Sequence, residues 1–309
     1  MRITALAGGI GASKFLLGLV SVLPPKDITV IANTGDDIEL FGLRICPDID
    51  TVTYTLGGVI NPATGWGLSG DTFECLQRLK SYYGDAWFNL GDRDLATHIF
   101  RTNQLRQGIS LSEVTDSIRR FLGVESSILP MTNSYTPTRI TTVEGEMHLQ
   151  EYFVRRRCEP RVLSLCYENI ELATPAPGVV TAIVDADLVI VCPSNPFISI
   201  GPILSVPGLR DALRETNATI IGITPIVGGK ALKGPAADML RDQGHEVSAS
   251  AVARIYNDFL DIFVLDTMDA ELKGEIEANG TRVITTNTIM GTTEQKAMLA
   301  RAVIEAAFS

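Results

Sequence analysis

The chain has 309 residues, of which 45% are hydrophobic and 20% are charged, and its formal net charge is −10. This composition is typical of a soluble globular protein with one large α/β domain or two smaller ones. The acidic balance argues against a general nucleic-acid or anionic-membrane binder, because such proteins need a basic surface.

The cysteines and the lack of long apolar runs indicate the cellular compartment of the protein. The five cysteines are odd in number, and none forms a close pair with metal-ligand spacing. We therefore expect reduced thiols and a cytoplasmic location. Met1–Ala7 is too short for a signal peptide, and no apolar run is long enough to span a membrane.

The first predicted unit is a strand over Ile3–Ala7, a glycine-rich turn and a helix over Phe15–Leu23. Glycines let the backbone approach a phosphate, whose charge then meets the helix N-terminus. The turn lacks the third glycine of G-x-G-x-x-G and the glycine spacing of a P-loop. This counts against an NAD-dependent oxidoreductase, which stays open as an alternative. The candidate anion-binding residues are Gly8, Gly9, Gly11 and Lys14, although Lys14 could instead be a solvated helix lysine.

An acidic segment follows the second predicted strand, Ile28–Ala32. Ligands of open α/β sheets bind outside the carboxyl ends of the strands, and carboxylates there can hold a divalent cation. The alternative is that these side chains only shape turns, with Asp50 capping a helix over Thr51–Leu56. We favour a site. Its acidic candidates are Asp36, Asp37, Asp48 and Asp50.

A second polar cluster surrounds Asn89. It follows a glycine-rich loop with Trp66 and a helix over Thr72–Tyr83, which Asp71 is expected to cap. The next helix is predicted over Leu95–Leu105. Arg93 and Arg101 could clamp an anion or pair with Asp92 or Asp94, and His98 is expected to be a packed surface histidine.

The middle of the chain mixes helix and hairpin signals. It has a helix over Leu111–Leu122, a hairpin of Arg139–Val143 with Met147–Leu149, and a short helix over Gln150–Arg157. No linker composition bounds this part. We interpret residues 88–167, approximately, as an α+β cap inserted into a single domain spanning 1–309.

Strand and helix signals alternate again in the second half. Strands are predicted over Leu188–Cys192, Thr219–Ile223, Ile262–Asp266 and Arg282–Thr286, with helices over Val179–Asp185, Ala237–Gln243, Ser250–Phe259 and Thr293–Phe308. The whole pattern indicates an α/β fold: a Rossmann-like, mostly parallel sheet with helices on both faces. Two loops offer ligand-binding groups: Ser194, Asn195 and Ser199 in one, and Lys230 and Lys233 in the other.

Several polar strings resemble the 2-phospho-L-lactate transferase family along the whole chain. They are Asn33-Thr34-Gly35-Asp36-Asp37, Ile45-Cys46-Pro47-Asp48-Ile49-Asp50-Thr51, Leu90-Gly91-Asp92-Arg93-Asp94, Gln150-Glu151-Tyr152-Phe153-Val154, Pro193-Ser194-Asn195-Pro196 and Pro225-Ile226-Val227-Gly228-Gly229. The resemblance implies a magnesium-dependent homodimer with a Rossmann-like fold. It also implies transfer of a phospholactyl group from lactyl-2-diphospho-5′-guanosine to the deazaflavin alcohol Fo, which yields GMP and the glutamate-free form of coenzyme F-420.

The resemblance also suggests roles for the candidate residues. Asp36, Asp37 and Asp48 would bind Mg²⁺, with Asp36 and Asp50 at the catalytic centre. Asp50 would contact the ribityl chain of Fo and could accept the proton of its hydroxyl, while Asn89 would contact the deazaflavin. The Gly8–Lys14 turn and the Ser194–Ser199 loop would hold the guanosine diphosphate.

Two questions stay open at this level. Some bacterial relatives use a phosphoenolpyruvyl or phosphoglyceryl donor, and the sequence does not separate these donors. The same superfamily also includes a non-enzymatic regulator that binds a nucleotide sugar. The Gly91-Asp92-Arg93-Asp94 and Pro193–Pro196 segments favour the transferase.

Overall fold

A computed structural model describes residues 1–232 and 234–309. Its strands are β1 Ile3–Ala7, β2 Ile28–Ala32, β3 Ile38–Leu40, β4 Leu43–Ile45, β5 Ser127–Pro130, β6 Thr138–Thr142, β7 Gly145–His148, β8 Val162–Tyr167, β9 Leu188–Val191, β10 Thr219–Ile223, β11 Ile226–Val227, β12 Lys230–Ala231, β13 Ile262–Asp266 and β14 Arg282–Thr286.

The α-helices are α1 Gly9–Val22, α2 Pro47–Leu56, α3 Glu74–Tyr83, α4 Asp92–Arg106, α5 Leu111–Phe121, α6 Val179–Val184, α7 Ile200–Ser205, α8 Leu209–Glu215, α9 Ala236–Asp242, α10 Ala249–Tyr256, α11 Lys273–Glu277 and α12 Thr293–Ala307. Short 3₁₀ turns lie at Pro25–Asp27, Ile170–Leu172 and Thr267–Leu272, and a π-helical turn lies at Glu151–Arg155.

The main sheet confirms the predicted α/β fold. In the described part of the chain it has seven strands in the order β14-β13-β10-β9-β1-β2-β5, and each neighbouring pair is parallel. Its central strands β1, β2, β9 and β10 are uncharged and largely buried, and Leu188–Val191 is buried along its whole length. Such runs suit a parallel sheet covered on both faces.

Helices cover both faces of this sheet and enclose two hydrophobic cores. Alternate residues of one strand point to opposite faces, so Ala5 packs with α1, α2 and α12, and Leu6 packs with the helices α6 to α10. The strands of the main sheet have only four or five residues each. Their register is fixed by this alternation, because a shift by one residue would exchange the side chains of the two faces.

The predicted cap region contributes to two different sheets. Residues 138–167 contain an antiparallel sheet in the order β7-β6-β8, and the predicted hairpin is confirmed there. Its core, which includes Ile140 and Tyr152, packs against Met239 of α9. By contrast, β5 pairs with β2 as the edge strand of the main sheet, a strand that the sequence analysis did not identify.

Two predicted helix starts are wrong, and both matter for the site. Helix α1 begins at Gly9 rather than Phe15, so the glycine turn forms its first turn. Helix α2 begins at Pro47, a residue favoured at the first helical position, with Cys46 as its N-cap. Asp50 therefore lies inside the first turn and does not cap the helix.

No helix in the described residues is both long and apolar enough to cross a membrane.

Close packing of α1 against α12 generates a test of this fold. A Cβ on Gly18 would lie 2.2 Å from the carbonyl oxygen of Lys296. We expect Gly18→Ala to lower the free energy of unfolding by about 1–3 kcal/mol, because the helices must move apart. Urea unfolding followed by circular dichroism measures this change.

Gly274 provides the matched control, since it also lies in a helix, α11. No described atom lies within 4 Å of a Cβ built on it. Gly274→Ala is expected to leave stability unchanged or raise it by up to about 1 kcal/mol. Equal effects of the two substitutions would contradict the tight α1–α12 contact.

Candidate functional site

A cavity of about 510 Å³ opens at the carboxyl ends of the central strands. Strand β1 lies between β2 and β9, and the chain leaves it toward β2 but returns later on the β9 side. Ligands of open α/β sheets bind at such a switch point. The loops after β1, β2, β9 and β10 all line the cavity.

The glycine turn forms one wall. Gly8, Gly9, Gly11 and Lys14, the predicted anion-binding residues, line the cavity. A Cβ on Gly11 would lie 2.2 Å from the carbonyl oxygen of Pro193, so glycine is needed for α1 to approach the loop after β9. The N-terminus of α1 faces the cavity, and the backbone of Gly9 there hydrogen-bonds to Asp48. The positive end of the helix dipole suits an anion.

Asp36 and Asp48 lie side by side on the cavity wall, although they are distant in the sequence. Their side chains share a hydrogen bond. Asn33 Nδ2 donates to Asp48 Oδ2 at 2.8 Å, and Gln150 Nε2 donates to the backbone oxygen of Asp36 at 3.1 Å. Gly8 contacts this pair so closely that a Cβ there would lie 2.6 Å from Asp48 Oδ2.

Burial controls the protonation of this pair. Burial, followed by the charge of Asp48, raises the pKa of Asp36 well above its usual range. Burial also raises the pKa of Asp48, to about 7. Two buried carboxylates in contact resist double ionisation, so the pair holds a proton near neutral pH.

The pair fits a divalent cation. Asp36 Oδ1 is buried and has no hydrogen-bond partner among the described residues. The described chain has no cluster of three or more His, Cys, Asp or Glu side chains arranged for a metal. Mg²⁺ is commonly held by one or two carboxylates together with substrate phosphates, and two carboxylates beside an anion-binding turn match that arrangement.

Asp37 does not join this pair in the structure. Its Oδ2 accepts hydrogen bonds from Arg44 Nη2 at 2.9 Å and from Cys46 Sγ at 3.1 Å. Burial raises the pKa of Asp37, and the charge of Arg44 opposes that rise. Asp37 is buried and is not among the residues that line the cavity, so its expected part in a metal site has no support in this geometry.

Asp50 also lines the cavity and is paired with Arg101. Arg101 Nη1 donates to Asp50 Oδ2 at 3.0 Å, and Nη2 contacts Oδ1. Asp92 and Asp94 were the partners expected for Arg101 from the sequence. In the structure its partner is Asp50. Arg93, by contrast, is exposed.

His98 was expected at the surface, and that expectation is wrong. It is buried, lines the cavity, and lies with Nε2 3.3 Å from Asp94 Oδ1. The same Asp94 oxygen accepts a hydrogen bond from the hydroxyl of Tyr54 at 2.7 Å. Burial alone would raise the pKa of Asp94, but contacts with His98 and Tyr54 hold it below its usual value.

Reciprocal caps fix the loop that carries Asn89. Asp71 was expected to cap α3, and this is wrong: it accepts hydrogen bonds from the backbone N–H groups of Arg93 and Asp94 at the start of α4. Asp92 does the same for α3, through the N–H groups of Glu74 and Cys75. This exchange holds the two helices together and places Asn89 on the cavity wall.

The loop after β9 also lines the cavity, but its polar groups are partly engaged. Ser194 Oγ donates to the backbone oxygen of Gly8 at 2.8 Å. Asn195 Oδ1 accepts from the N–H of Phe197 at 2.8 Å, and Ser199 precedes α7. Lys230 is exposed, and Lys233 lies outside the described residues.

Comparison with known proteins decides the family. The family model described as 2-phospho-L-lactate transferase CofD matches residues 3–307. The chain belongs to the 2-phospho-L-lactate transferase family. It is therefore a transferase, and its family acts in phospholactate transfer in coenzyme F-420 biosynthesis.

Individual relatives of this transferase carry two activity names. A "phosphoenolpyruvate transferase" of Streptomyces griseus is 45% identical, over 99% of this chain and 98% of the relative. A "2-phospho-L-lactate transferase" of Methanothermobacter thermautotrophicus is 44% identical, over 97% and 96%. A UPF0052-family protein from Bacillus halodurans has a similar fold, with a TM-score of 0.64, 16% identity and 98% of each chain covered.

Several cavity residues of the transferase were not identified from the sequence as site residues. They are Tyr54, His98, Gln150, Phe153, Thr288 and Met290. Only Tyr54 carried a usable signal, because it lies four residues after Asp50 and so on the same helix face. The others reach the cavity through long-range contacts.

The pKa shift of Asp48 generates a pH prediction for the metal-free transferase. A carboxyl whose pKa is raised in the folded state binds protons that the unfolded state has released, so it destabilises the fold as pH rises from about 4 to about 7. We expect Asp48→Asn to gain stability relative to wild type over that range, by roughly 1–4 kcal/mol. Urea unfolding at several pH values measures it.

Glu305, an exposed carboxylate on α12, provides the control. The stability difference between Glu305→Gln and wild type should stay nearly constant over the same pH range. A constant difference for Asp48→Asn as well would show that the buried pair ionises freely.

Proposed function

We propose that this transferase moves the 2-phospho-L-lactyl group of lactyl-2-diphospho-5′-guanosine to the ribityl hydroxyl of Fo. The products are the glutamate-free form of coenzyme F-420 and GMP. The observation that carries the proposal is one cavity with two chemically different walls. The donor wall would consist of Asp36, Asp48 and the glycine turn, and the acceptor wall of Asp50 and Asn89, all of which line the same cavity.

The donor fits the first wall. A diphosphate brings negative charge, which the N-terminus of α1 and Lys14 can stabilise. Gly8, Gly9 and Gly11 let the backbone approach its oxygens. The Ser194–Ser199 loop and Thr288 line the adjoining part of the cavity, where the guanosine would lie.

The acceptor fits the second wall. Phe88 and Trp66 provide flat apolar surfaces that suit a tricyclic ring, and Asn89 provides an amide for its polar edge. Asp50 would accept a hydrogen bond from the ribityl hydroxyl. This places the hydroxyl between the fixed carboxylate and the diphosphate.

The reaction is a displacement at phosphorus. The ribityl oxygen forms a bond to the phosphorus that carries the lactyl group, and the bond from that phosphorus to the oxygen bridging to GMP breaks. GMP leaves with the bridging oxygen, and the hydroxyl proton passes to Asp50 or to water. Phosphoryl transfer of this kind depends mainly on positioning and charge neutralisation.

Asp36 and Asp48 would hold Mg²⁺. The cation would neutralise the diphosphate and stabilise the leaving GMP. Gln150 and Asn33 would keep the two carboxylates in place through the hydrogen bonds described above. An acidic protein can thereby bind an anionic donor.

A phosphoenolpyruvyl donor is the second candidate. The relative from Streptomyces griseus, named for phosphoenolpyruvate, and that from Methanothermobacter thermautotrophicus, named for phospholactate, are almost equally similar to this chain. The two acyl groups differ only near the carbon that carries the phosphate. A donor comparison must therefore decide between them.

The first test supplies purified protein with Fo, Mg²⁺ and either the phospholactyl or the phosphoenolpyruvyl donor. We expect equimolar GMP and a phospholactyl–Fo product, both abolished by EDTA, because the diphosphate needs its counter-ion. Liquid chromatography with mass detection follows both products.

The other outcomes are distinct. A phosphoenolpyruvyl–Fo product alone would select the second donor. Binding of the guanosine donor without any transfer to Fo would favour a non-enzymatic, nucleotide-binding regulator.

Asp50→Asn tests the acceptor wall. We expect it to lower kcat with Fo by about 100-fold or more, because an amide cannot take the proton and is not a charged acceptor. Donor affinity, measured by calorimetry, should change by no more than about twofold, because Asp50 does not face the glycine turn. Unchanged turnover and unchanged Fo affinity would show that Asp50 has no role.

A further inference from the structure

Arg101 is a fully buried cation that the roles above do not use. It lies on α4, on the helix face that also carries His98, three residues before it, and Asp94, seven residues before it. Burial lowers the pKa of the Arg101 guanidinium, but the nearby negative charge of Asp50, on α2, raises it, and the net pKa is raised. Arg101 therefore stays charged inside the protein.

The guanidinium holds both oxygens of Asp50. Nη1 donates to Oδ2 at 3.0 Å, and Nη2 contacts Oδ1. Two parallel bonds from a planar fork fix the rotation of a carboxylate, which a single bond cannot do. Each oxygen keeps a second lone pair, so Asp50 can still accept a hydrogen bond from a ligand.

A ring of contacts fixes Arg101 in turn. Nη1 lies 3.2 Å from His98 Nδ1, and because a guanidinium only donates, that nitrogen is the acceptor. The other ring nitrogen, Nε2, lies 3.3 Å from Asp94 Oδ1, a close contact that lacks hydrogen-bond geometry. Asp94 accepts from the hydroxyl of Tyr54, which lies one helical turn after Asp50. The ring therefore closes on the helix where it began.

Stability alone is a weak reason for this arrangement. A buried ion pair usually stabilises a fold no better than a well-packed apolar pair would. Asp50, Tyr54, Asp94 and His98 all line the cavity, whereas Arg101 lies behind them. The ring thus presents one oriented carboxylate to the ligand.

We propose that Arg101 is a positioning residue that acts through Asp50, fixing this carboxylate for the hydroxyl of the acceptor. The proposal rests on the proposed function, because Asp50 must contact Fo. The donor wall, with Gly8 and the Asp36–Asp48 pair, does not depend on Arg101.

The test compares five proteins with wild type: Asp50→Asn, Arg101→Met, Arg101→Lys, the double variant Asp50→Asn/Arg101→Met, and the control Arg106→Met. Arg106 lies on the same helix but is exposed, and it donates to the backbone oxygen of Gly42. Turnover is measured with Fo varied, and binding of Fo and of the donor is measured by calorimetry.

We expect Arg101→Met to lower kcat with Fo by about 100-fold, because Asp50 loses its orientation. Arg101→Lys should recover part of this loss, since it restores the charge without the fork. The double variant should be no slower than Asp50→Asn alone, because Arg101 has no effect once Asp50 is gone. Donor affinity and the control variant should both match wild type.

Other results would overturn the proposal. If Arg101 acted independently of Asp50, the fold-losses in kcat of the two single variants would multiply in the double variant. A parallel loss of donor affinity would mean that Arg101 supports the fold as a whole. If Arg101→Met fails to fold, Arg101→Lys and the charge-free double variant still decide the question, because neither leaves Asp50 buried without a counter-charge or partner.

Failure of the proposed function would be visible separately. Wild type would then bind Fo without transfer, or would not bind it. If wild type binds Fo without transfer, the positioning role predicts that Asp50→Asn and Arg101→Met have non-additive effects on the affinity for Fo. If wild type does not bind Fo, both the function and the positioning role would be refuted by wild type alone.

Discussion

The burial of carboxylates at the carboxyl edge of an apolar parallel sheet is the constraint on which this structure depends. A buried charge is costly unless it is paired, protonated or bound to a cation. Asp37 and Asp50 are each paired with a buried arginine, Arg44 and Arg101. Asp36 and Asp48 lie together, with hydrogen bonds from the neutral amides of Gln150 and Asn33, and they share a proton. This pair is the one beside the glycine turn, since a Cβ on Gly8 would lie 2.6 Å from Asp48 Oδ2.

Helix α2 distributes these charges between the two walls. Residues two apart on a helix point in widely different directions, so Asp48 and Asp50 do not face the same neighbours. Asp48 faces Gly8 and Asn33, whereas Asp50 faces Arg101. The helix start at Pro47 sets this division. One turn of helix thus serves both the donor wall and the acceptor wall.

The antiparallel sheet contributes to the site through its last residues. Gln150 follows β7 and reaches the backbone and side chain of Asp36, and His148 lies 3.0 Å, through Nε2, from the backbone oxygen of Asp37. Burial lowers the pKa of His148 to about 4, so it remains neutral and donates this hydrogen bond. The acidic loop is therefore held from the cap as well as from the main sheet.

The sequence by itself determined six of the seven strands of the main sheet and the positions of the loops that line the cavity. Short apolar β-branched runs such as Ile28–Ala32 are typical of buried strands, and the carboxyl ends of parallel strands meet at one edge of the sheet. Tertiary structure alone decided the partners. Asp37 pairs with Arg44, Arg101 pairs with Asp50 rather than Asp94, and His98 is buried. Such pairings join residues 7 to 51 positions apart, and the local periodicity of a sequence carries no record of them.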